Sequence, residues 1–339
     1  MTKVDELLLE TIEGLLADHC SPEQVGAAEG GMDAKLWAAL TESGLSAVGV
    51  AESAGGSGGT LQDAAAIAKA AGRHAAPVPL TETSLIAGWI CEQAGLQLPE
   101  GPLAVACVEE SGRARRVPWA PVAANVVVVG SGGVAVIPAD GVVDAGTAGT
   151  NYAGEPYADV AASAPGGGPR LSPALVRARG ALARSLLMAG ALGQAVDLSV
   201  LYATEREQFG RPIGKFQVLQ QYLAEMAAEA ATAEAAADNA VDVIAAGAPE
   251  EEVLRIVGAA KAVNGRAAGI INRLAHQIHG AIGFTDEHRL QYSTRRLWSW
   301  RDEYGTEAEW AAVLGSSLCR ASGEALWPAL TSWPPAGAA

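Results

Sequence analysis

The spacing of apolar residues changes twice along the chain and divides it into three parts. In the first part, short helical patterns alternate with glycine-rich turns. Asp33 is the predicted N-cap of the helix AKLWAALTESG, and Gly44 is its predicted C-terminal glycine. A second helix, LQDAAAIAKAAGRHAAP, is predicted to stop at Gly72, with Pro77 just beyond it. We therefore expect a helical N-terminal domain over residues 1–100.

The middle part contains short β-branched runs separated by glycine and proline. The runs LAVACVEE, NVVVVG, GVAVIPA and GVVDAG predict strands and hairpins. The loose segment SAPGGGPRLSP, residues 163–173, predicts a linker after them. We expect a reduced β domain over residues 101–170.

Helical periodicity dominates the rest of the chain. Two long helices are predicted from ALVRARGALARSLLMAGALGQAVDLSVLYATERE and VLQQYLAEMAAEAATAEAAADNAVDVIAAG. The third has the clearest period, with apolar residues three or four positions apart: Val253, Val257, Ala260, Val263, Ala267, Ile270, Leu274 and Ile278. Long helices with short connections predict a C-terminal helical bundle over residues 171–330, followed by a disordered tail, 331–339. The predicted fold class is therefore α+β, mainly α.

Composition and charge narrow the class of protein. The 339 residues are 50% apolar, which is enough for a large core and two or more domains. A net charge of −15 argues against nucleic acid and anionic membrane surfaces as partners. No signal-peptide pattern and no uninterrupted apolar stretch of membrane-spanning length is evident, so we expect a soluble, cytoplasmic protein. The four cysteines have no paired or zinc-binding spacing and predict reduced structural thiols.

The segment TEREQFGRPIGKFQ, Thr204 to Gln217, is chemically distinct from its acidic, alanine-rich surroundings. It places three cations around two glycines at the joint between the first two long helices. An arginine fork, amide side chains and glycine-exposed backbone amides suit a phosphate-bearing ligand. A capped helix–helix turn with solvated cations accounts for the same residues, and chemistry alone favours that simpler interpretation.

Three motifs together resemble the acyl-CoA dehydrogenase family. YATEREQFGRPIGKFQVLQQYLAEMA is similar to the family's R-x-Q-F-G-x-x-I-x-x-F-Q joint. LWAALTESGLSAVGVAESAGGSGGTLQDAAAIAKAAGR resembles its N-terminal segment, and AHQIHGAIGFTDEHRLQYSTRR resembles its Q-x-x-G-G-x-G-F element. The resemblance implies N-terminal helices, a β-barrel-like middle and a C-terminal four-helix bundle, assembled as a dimer of dimers.

The resemblance also implies FAD chemistry. In this family a carboxylate removes the α-proton of an acyl-CoA thioester while flavin N5 takes the β-hydride, and the ADP half of FAD is contacted by the neighbouring subunit. Matched position by position, the implied FAD contacts are Arg206, Gln208, Phe209, Phe216, Gln217, Gln277 and Gly280, with Ala281 replacing the family's second glycine. No metal site is expected, because His276 and His279 have no third ligand near them in the sequence.

The family's flavin-ring strands are missing from this sequence. Neither a T-E-P-x-x-G-S-D strand nor an aromatic-Ile-Thr strand occurs between Gly101 and Pro169. The chain therefore lacks the segments that the resemblance assigns to the isoalloxazine ring.

The family's catalytic glutamate is displaced as well. It belongs to a Y-E-G-T sequence, whereas RDEYGTE places Tyr304 at the glutamate position, with Glu303 one residue and Asp302 two residues out of register. A one-residue slip turns a side chain to a different direction. The alternative family position, on the first bundle helix, holds Ala183 before Arg184. Glu303 remains a weak candidate base, and a solvated charge run is the simpler interpretation of its segment.

The sequence thus predicts no catalytic residue of its own. The chain resembles the shorter, non-catalytic subunit of actinobacterial heterotetrameric (α2β2) steroid side-chain acyl-CoA dehydrogenases, which donates ADP contacts to a catalytic partner that binds most of the acyl-CoA. Three alternatives stay open. They are a self-sufficient homotetramer with Glu303 as base, a flavin oxidase or monooxygenase with Asp302 as base, and a structural partner without flavin contact.

Overall fold

A computed structural model describes residues 6–162, 169–285, 287–320 and Trp327. The predicted tail at 331–339 and linker residues 163–168 lie outside the described residues. The predicted domain boundaries near residues 100 and 170 stay predictions.

Helices make up the described N-terminal part. They are α1 (Glu6–His19), α2 (Pro22–Ala27), α3 (Ala34–Glu42), α4 (Leu61–Arg73) and α5 (Trp89–Ala94). A π-helical segment, Glu82–Gly88, leads directly into α5. The predicted N-cap is confirmed, because Oδ1 of Asp33 accepts hydrogen bonds from the backbone N–H groups of Lys35 and Leu36 at 2.9 and 3.0 Å. Gly44, with φ of 73°, follows the end of α3 as expected.

The β part consists of two three-stranded sheets. Its strands are β1 (Leu103–Cys107), β2 (Arg113–Pro118), β3 (Asn125–Gly130), β4 (Gly133–Pro138), β5 (Val143–Thr150) and β6 (Pro156–Ala161). The first sheet has the order β1-β3-β4, with β1 parallel to β3, and the second has the antiparallel order β2-β6-β5. Small apolar side chains from both sheets form the core between them. Sequence patterns predicted the other four strands but missed β2 and β6, because RARRVP and PYADVA lack β-branched runs.

The described C-terminal part is a helical bundle, as predicted. Its helices are α6 (Pro173–Glu205), α7 (Gln217–Ala245), α8 (Glu250–His279), α9 (Leu290–Asp302) and α10 (Glu307–Arg320). The first four form the bundle, and α10 packs on α8. Of the periodic positions in α8, Val263 and Ile270 are half-buried and the others are buried. The α+β, mainly helical fold class is confirmed.

Helix α6 is more apolar than expected, because no apolar stretch of membrane-spanning length was evident in the sequence. By length and composition it alone among the described helices would be able to cross a membrane. However, 56% of its apolar window is buried inside the protein, as for the core helix of a bundle. Its hydrophobicity is therefore explained by contacts with α4, α7, α8 and α9.

The predicted end of α4 at Gly72 is wrong. The helix continues to Arg73, and Gly72 is buried where α4 crosses α6. A Cβ at Gly72 would lie 2.0 Å from the carbonyl oxygen of Leu187, and a Cβ at Gly190 would lie 1.9 Å from that of Lys69. These two glycines permit close contact between the helices, so Gly72 has a packing role rather than a capping role.

Candidate functional site

The cation-rich joint between α6 and α7 forms an exposed hairpin. Arg206 ends α6, and its carbonyl oxygen accepts a hydrogen bond from the backbone N–H of Ile213 at 2.8 Å. Strands β7 (Glu207–Gln208) and β8 (Arg211–Pro212) pair across the turn. Phe209 lies at the tip with φ of 54° and is 92% exposed. The Phe209 ring meets that of Phe216 edge to face, with the centroids 6.2 Å apart.

Several polar side chains of this hairpin are available to an external ligand. The side chains of Arg206, Gln208 and Gln217 are exposed and make no hydrogen bond or ion pair within the described part of the chain. Phe216 is half-buried, with the guanidinium of Arg211 4.3 Å from its ring centroid. The joint therefore presents guanidinium and amide donors without internal partners, beside the rings of Phe209 and Phe216.

The second matched segment lies at the same end of the bundle. Helix α8 ends at His279, and a 3₁₀ turn, Gly280–Phe284, follows. The ring of His279 stacks on that of Tyr202, in the last turn of α6, at 4.6 Å. Gln277, Gly280 and Ala281 are all exposed beside this contact. The fold thus brings the two matched segments together, and their role in holding FAD stays a prediction.

A third histidine, His288, lies close to His279, one of the two histidines considered as metal ligands in the sequence. The ring centroid of His288 lies 4.6 Å from that of His279, which the sequence spacing did not reveal. Burial lowers the pKa of His279 to about 4, so its ring is neutral at pH 7. Among the described residues, no three His, Cys, Asp or Glu side chains are grouped as metal ligands. The aromatic contacts indicate a packing role for these rings.

The interpretation of Glu303 as part of a solvated charge run is wrong. Nε of Arg184 donates a hydrogen bond to Oε2 of Glu303 at 2.6 Å. Nδ2 of Asn151 donates to Oε1 at 3.0 Å. The Glu303 side chain is only 18% exposed. Both carboxylate oxygens are therefore occupied by groups of the same chain.

Arg184 joins this carboxylate to a second, fully buried one. Its Nη2 donates to Oε1 of Glu82 in the π-helical segment, and its Nη1 donates to the hydroxyl of Thr81 at 3.3 Å. Burial disfavours the charge of the guanidinium. The carboxylates of Glu82 and Glu303 outweigh that effect and raise the pKa of Arg184 well above its ordinary value. The result is a buried ionic network between the N-terminal helices and the bundle.

Asn151 extends the network into the β part. Its Nδ2 also donates to Glu155 at 3.0 Å, and Nε1 of Trp300 donates to the same carboxylate at 3.0 Å. Arg296 forms an ion pair with Glu155 at 3.4 Å. Burial raises the pKa of Glu155 despite the nearby guanidinium of Arg296. The network therefore connects all three parts of the chain.

Tyr304 is the residue that the sequence motif matched to the family's catalytic glutamate. Its ring packs against Gly180 of α6, where a Cβ would come within 2.1 Å of it. The buried hydroxyl has no hydrogen-bond partner among the described residues. Burial raises the pKa of the Tyr304 phenol far above its usual value, so it stays protonated and neutral. The backbone is fixed as well, because its carbonyl accepts a hydrogen bond from Trp310 Nε1 at 3.0 Å.

A cavity of about 920 Å³ lies beside this network. It is bounded by β1 and β2 on one side. The N-terminal end of α6 and the C-terminal end of α9 bound it on the other. Its lining includes Arg115, Arg116, Tyr152, Trp298, Asp302 and Glu303. The sequence interpretation missed the first four of these. The run RARR at 113–116, in a chain of net charge −15, is the sequence signal that could have identified the two arginines.

Two known domain families match the N-terminal helical part and the C-terminal bundle of the chain. The description "Acyl-CoA dehydrogenase, N-terminal domain" matches residues 2–96, and "Acyl-CoA dehydrogenase, C-terminal domain" matches residues 172–307. The chain is 33% identical over 308 residues to the protein named Acyl-CoA dehydrogenase IpdE2 of Mycolicibacterium smegmatis, covering 87% of this chain and 93% of that protein.

Two solved structures share the fold over nearly the whole chain. One is from the ChsE4-ChsE5 complex of Mycobacterium tuberculosis, with a TM-score of 0.79, 20% identity and coverage of 94% of this chain and 99% of that one. The other is from the Tcur3481-Tcur3483 steroid ACAD, with a TM-score of 0.80, 23% identity and coverage of 92% and 96%.

Proposed function

This chain belongs to the acyl-CoA dehydrogenase family of CH–CH oxidoreductases, and we propose that it is the non-catalytic subunit of a heterotetrameric member. In this proposal a catalytic partner supplies the base, the flavin-ring site and most of the acyl-CoA contacts. The chain described here contributes contacts to the ADP half of FAD. The proposed substrate class is the CoA thioester of a steroid-derived acid.

The state of Glu303 is the observation that carries the proposal. A general base must reach the substrate proton within hydrogen-bond distance, so its side chain must be free to turn towards the substrate. Both oxygens of Glu303 already accept hydrogen bonds, from Arg184 and Asn151. Withdrawing Glu303 from this arrangement would break a buried ion pair, a change that is strongly destabilising. The nearest carboxylate to the expected base position is therefore structural.

Tyr304 supports the same conclusion. The family's base position holds a buried phenol that is kept protonated, and its ring fills the space against Gly180. A neutral phenol cannot remove a proton from a thioester α-carbon at neutral pH. Asp302 lines the cavity but is exposed and two residues out of register. Neither neighbour of Glu303 replaces the missing base.

The exposed joint fits the ADP half of a dinucleotide. Arg206, Gln208 and Gln277 offer donors that no group within the described residues uses. Charge-assisted and amide hydrogen bonds of this kind suit a diphosphate. The flavin of a bound FAD accepts a hydride in this family, and the residues of this chain would only hold and orient the ADP end.

The heteromeric state and the substrate class are motivated by the relatives. The two solved structures with this fold are named after pairs of proteins, ChsE4-ChsE5 and Tcur3481-Tcur3483. The second name also includes the word steroid. The relative with 33% identity is also named an acyl-CoA dehydrogenase. These names describe the other proteins, and their extension to this chain is our proposal.

Separate and joint purification tests the proposal. We expect the chain purified alone to lack FAD and acyl-CoA dehydrogenase activity, and to acquire both when it is co-expressed with a catalytic subunit. A yellow, active homo-oligomer of this chain would contradict the proposal. The bound FAD is measured by absorbance after release from the protein.

A variant of the joint tests the FAD contacts. A charge-assisted hydrogen bond contributes about 1.5–3 kcal/mol, so Arg206→Ala in the complex should weaken FAD binding by about tenfold or more. Arg273→Ala, an exposed position on α8 one turn before Gln277, is the matched control and should retain FAD. Equal FAD affinity in the two variants would favour a structural partner without flavin contact.

A further inference from the structure

We propose that His279 is a positioning residue of the proposed ADP site, and that protonation of the histidines around it opens the contact between the ends of α6 and α8. As neutral rings, His276, His279 and His288, here named the histidine clamp, hold the turn that begins at Gly280 against the helix that ends at Arg206. The expected consequence, release of FAD in mild acid, rests on the proposed function.

The ring of His279 is the meeting point of three elements. It stacks on Tyr202 of α6 with the ring centroids 4.6 Å apart and an angle of 23° between the planes. It also meets the ring of His288, in the segment before α9, edge on at 4.6 Å. His279 itself is only 3% exposed. The ends of α6 and α8 and the start of α9 therefore share one buried aromatic contact.

This contact connects the two segments that carry the proposed ADP contacts. Tyr202 lies one turn before Arg206, and its carbonyl oxygen accepts a hydrogen bond from the backbone N–H of Arg206 at 2.9 Å. Gly280 directly follows His279, and its backbone N–H donates to the carbonyl oxygen of His276. A displacement of the Tyr202–His279 stack would therefore move one segment relative to the other.

The 3₁₀ turn after α8 fits closely against the clamp. Gly283 is the one buried residue of this turn. A Cβ at Gly283 would lie 3.0 Å from Cβ of His279 and 3.2 Å from Nδ1 of His276. Phe284 stacks on His276 at 4.3 Å between ring centroids, although it is 73% exposed. The position of the turn thus depends on these two histidine rings.

Two of the rings require a nitrogen without a proton. Nδ1 of His279 donates to the carbonyl oxygen of Ala275 at 2.8 Å, which leaves the lone pair of the neutral ring on Nε2. This buried Nε2 has no hydrogen-bond partner among the described residues. Nδ1 of His288 accepts a hydrogen bond from the backbone N–H of Leu290 at 3.2 Å. A second proton would create an unpartnered buried N–H in the first ring and break a hydrogen bond in the second.

The surroundings of the clamp offer no counter-charge within the described residues. The titratable groups that face His279 are His276 of α8, His288 before α9 and the neutral phenol of Tyr202 on α6. Arg289, next to His288, adds a positive charge. None of the three histidines forms an ion pair in the described part of the chain. A protonated ring would therefore face other cations or neutral groups.

These contacts make the closed arrangement sensitive to acid. Burial lowers the pKa of His279 to about 4, an effect that the carbonyl oxygens of Ala275 and Leu198 oppose in part. A histidine released to water has a pKa of about 6.5. The open form therefore takes up a proton before the closed form does. The closed form is favoured above about pH 6.5 and loses this advantage as the pH falls towards 4.

Hydrogen exchange of the purified full-length chain tests the clamp without FAD. For the backbone amides at the end of α8, the equilibrium constant for opening should rise at least about eightfold between pH 7 and 5.5, because one proton binds with a pKa of about 4 in the closed form and about 6.5 in the open form. His279→Phe keeps a ring against Tyr202 but takes no proton, so the rise should be smaller by that factor. His19→Phe, in the last turn of α1, is the matched control and should leave it unchanged.

FAD binding by the complex tests the positioning role. Tyr202→Leu removes the stacked ring but none of the proposed FAD contacts, and should weaken FAD binding about three- to tenfold, the contribution of one aromatic pair. Tyr202→Phe keeps the ring and should retain the wild-type affinity. The wild-type complex should also lose affinity for FAD between pH 7 and 5.5, and the complex with His279→Phe should lose less. Circular dichroism verifies that each variant is folded.

Three results would overturn the inference. One is an opening equilibrium of the wild-type chain that does not change with pH. Another is an equal rise in the wild type and His279→Phe. The third is equal FAD affinity in Tyr202→Leu and Tyr202→Phe while Arg206→Ala releases FAD, which would remove the positioning role and leave the proposed function in place. Full retention of FAD by Arg206→Ala would instead overturn the proposed function, and the positioning role with it.

Discussion

The Nε atom of Arg184 lies 2.6 Å from Oε2 of Glu303, in an ion pair whose arginine side chain is 1% exposed. The pair joins the middle of α6 to the residue that follows α9. It shows that the carboxylate next to the position matched to the family's base is held by groups of its own chain. The same arginine holds Glu82, so the pair is also a structural joint between the N-terminal helices and the bundle.

Loss of the Arg184 guanidinium is expected to destabilise the fold strongly. Arg184→Met leaves the carboxylates of Glu82 and Glu303 buried without their counter-charge. Removing one partner from a buried ion pair costs about 3–5 kcal/mol, and we expect the free energy of unfolding in urea to fall by that amount. Arg266→Met is the control. Arg266 is largely exposed, and an exposed ion pair such as Arg266–Glu229 contributes at most about 1 kcal/mol to stability. Equal losses in the two variants would contradict the buried network.

Substitution of Glu303 separates a structural role from a catalytic one. Glu303→Gln should lower the melting temperature of the chain but leave kcat of the complex within about twofold of the wild-type value, since the proposed function assigns proton abstraction to the partner. If Glu303 were the base, kcat would fall by about 10²–10⁴-fold. Steady-state kinetics and thermal unfolding of the same preparation give the two readouts. A large fall in kcat at unchanged stability would identify the self-sufficient enzyme instead.

The glycines of α6 are expected to respond oppositely to alanine. A Cβ at Gly190 would lie 1.9 Å from the carbonyl oxygen of Lys69, so Gly190→Ala must separate α6 from α4. We expect a loss of about 3 kcal/mol in unfolding free energy. At Gly193 the nearest atom is Nη1 of Arg73 at 3.8 Å, an ordinary contact. Gly193→Ala should therefore raise stability by up to about 1 kcal/mol through helix propensity. A neutral Gly190→Ala would show that this crossing is loosely packed.

Lys261 is expected to make stability depend on pH above neutrality. Its buried ammonium donates to the carbonyl oxygens of Arg301 and Gly305 at 2.6 and 2.9 Å. Burial lowers the pKa of Lys261 to about 8; Glu303 raises it in part and Arg184 opposes that effect. Between pH 8 and the ordinary lysine pKa, the unfolded chain retains a proton that the folded chain has released. Stability from this group therefore rises with pH across that window.

Comparison with Lys261→Met isolates this contribution from other titrating groups. The difference in unfolding free energy between wild type and variant should change by about 2 kcal/mol in favour of the wild type between pH 8 and 10. Denaturant unfolding at closely spaced pH values measures it. A flat difference across this range would show that the ammonium keeps its proton in the folded state.

Local features of the chain were predictable from the sequence, because neighbouring residues determine them. Asp33 precedes a helix and caps it, and the apolar period of residues 253–278 places one face of α8 in the core. The order of N-terminal helices, β part and bundle followed from the two places where the spacing of apolar residues changes along the chain. The family followed from three motifs, which lie within the parts of the chain that the two family descriptions match.

Features that depend on distant residues were decided only by the tertiary structure. Arg184 and Glu303 are 119 positions apart, and nothing in either local sequence shows that one neutralises the other. Gly72 has the sequence context of a helix end but is required by the backbone of Leu187 in another helix. The last two arginines of RARR, Arg115 and Arg116, line a cavity because β2 pairs with β6 through a bulge. Burial, counter-charge and register arise from packing, and packing brings together residues whose order along the chain does not specify their contacts.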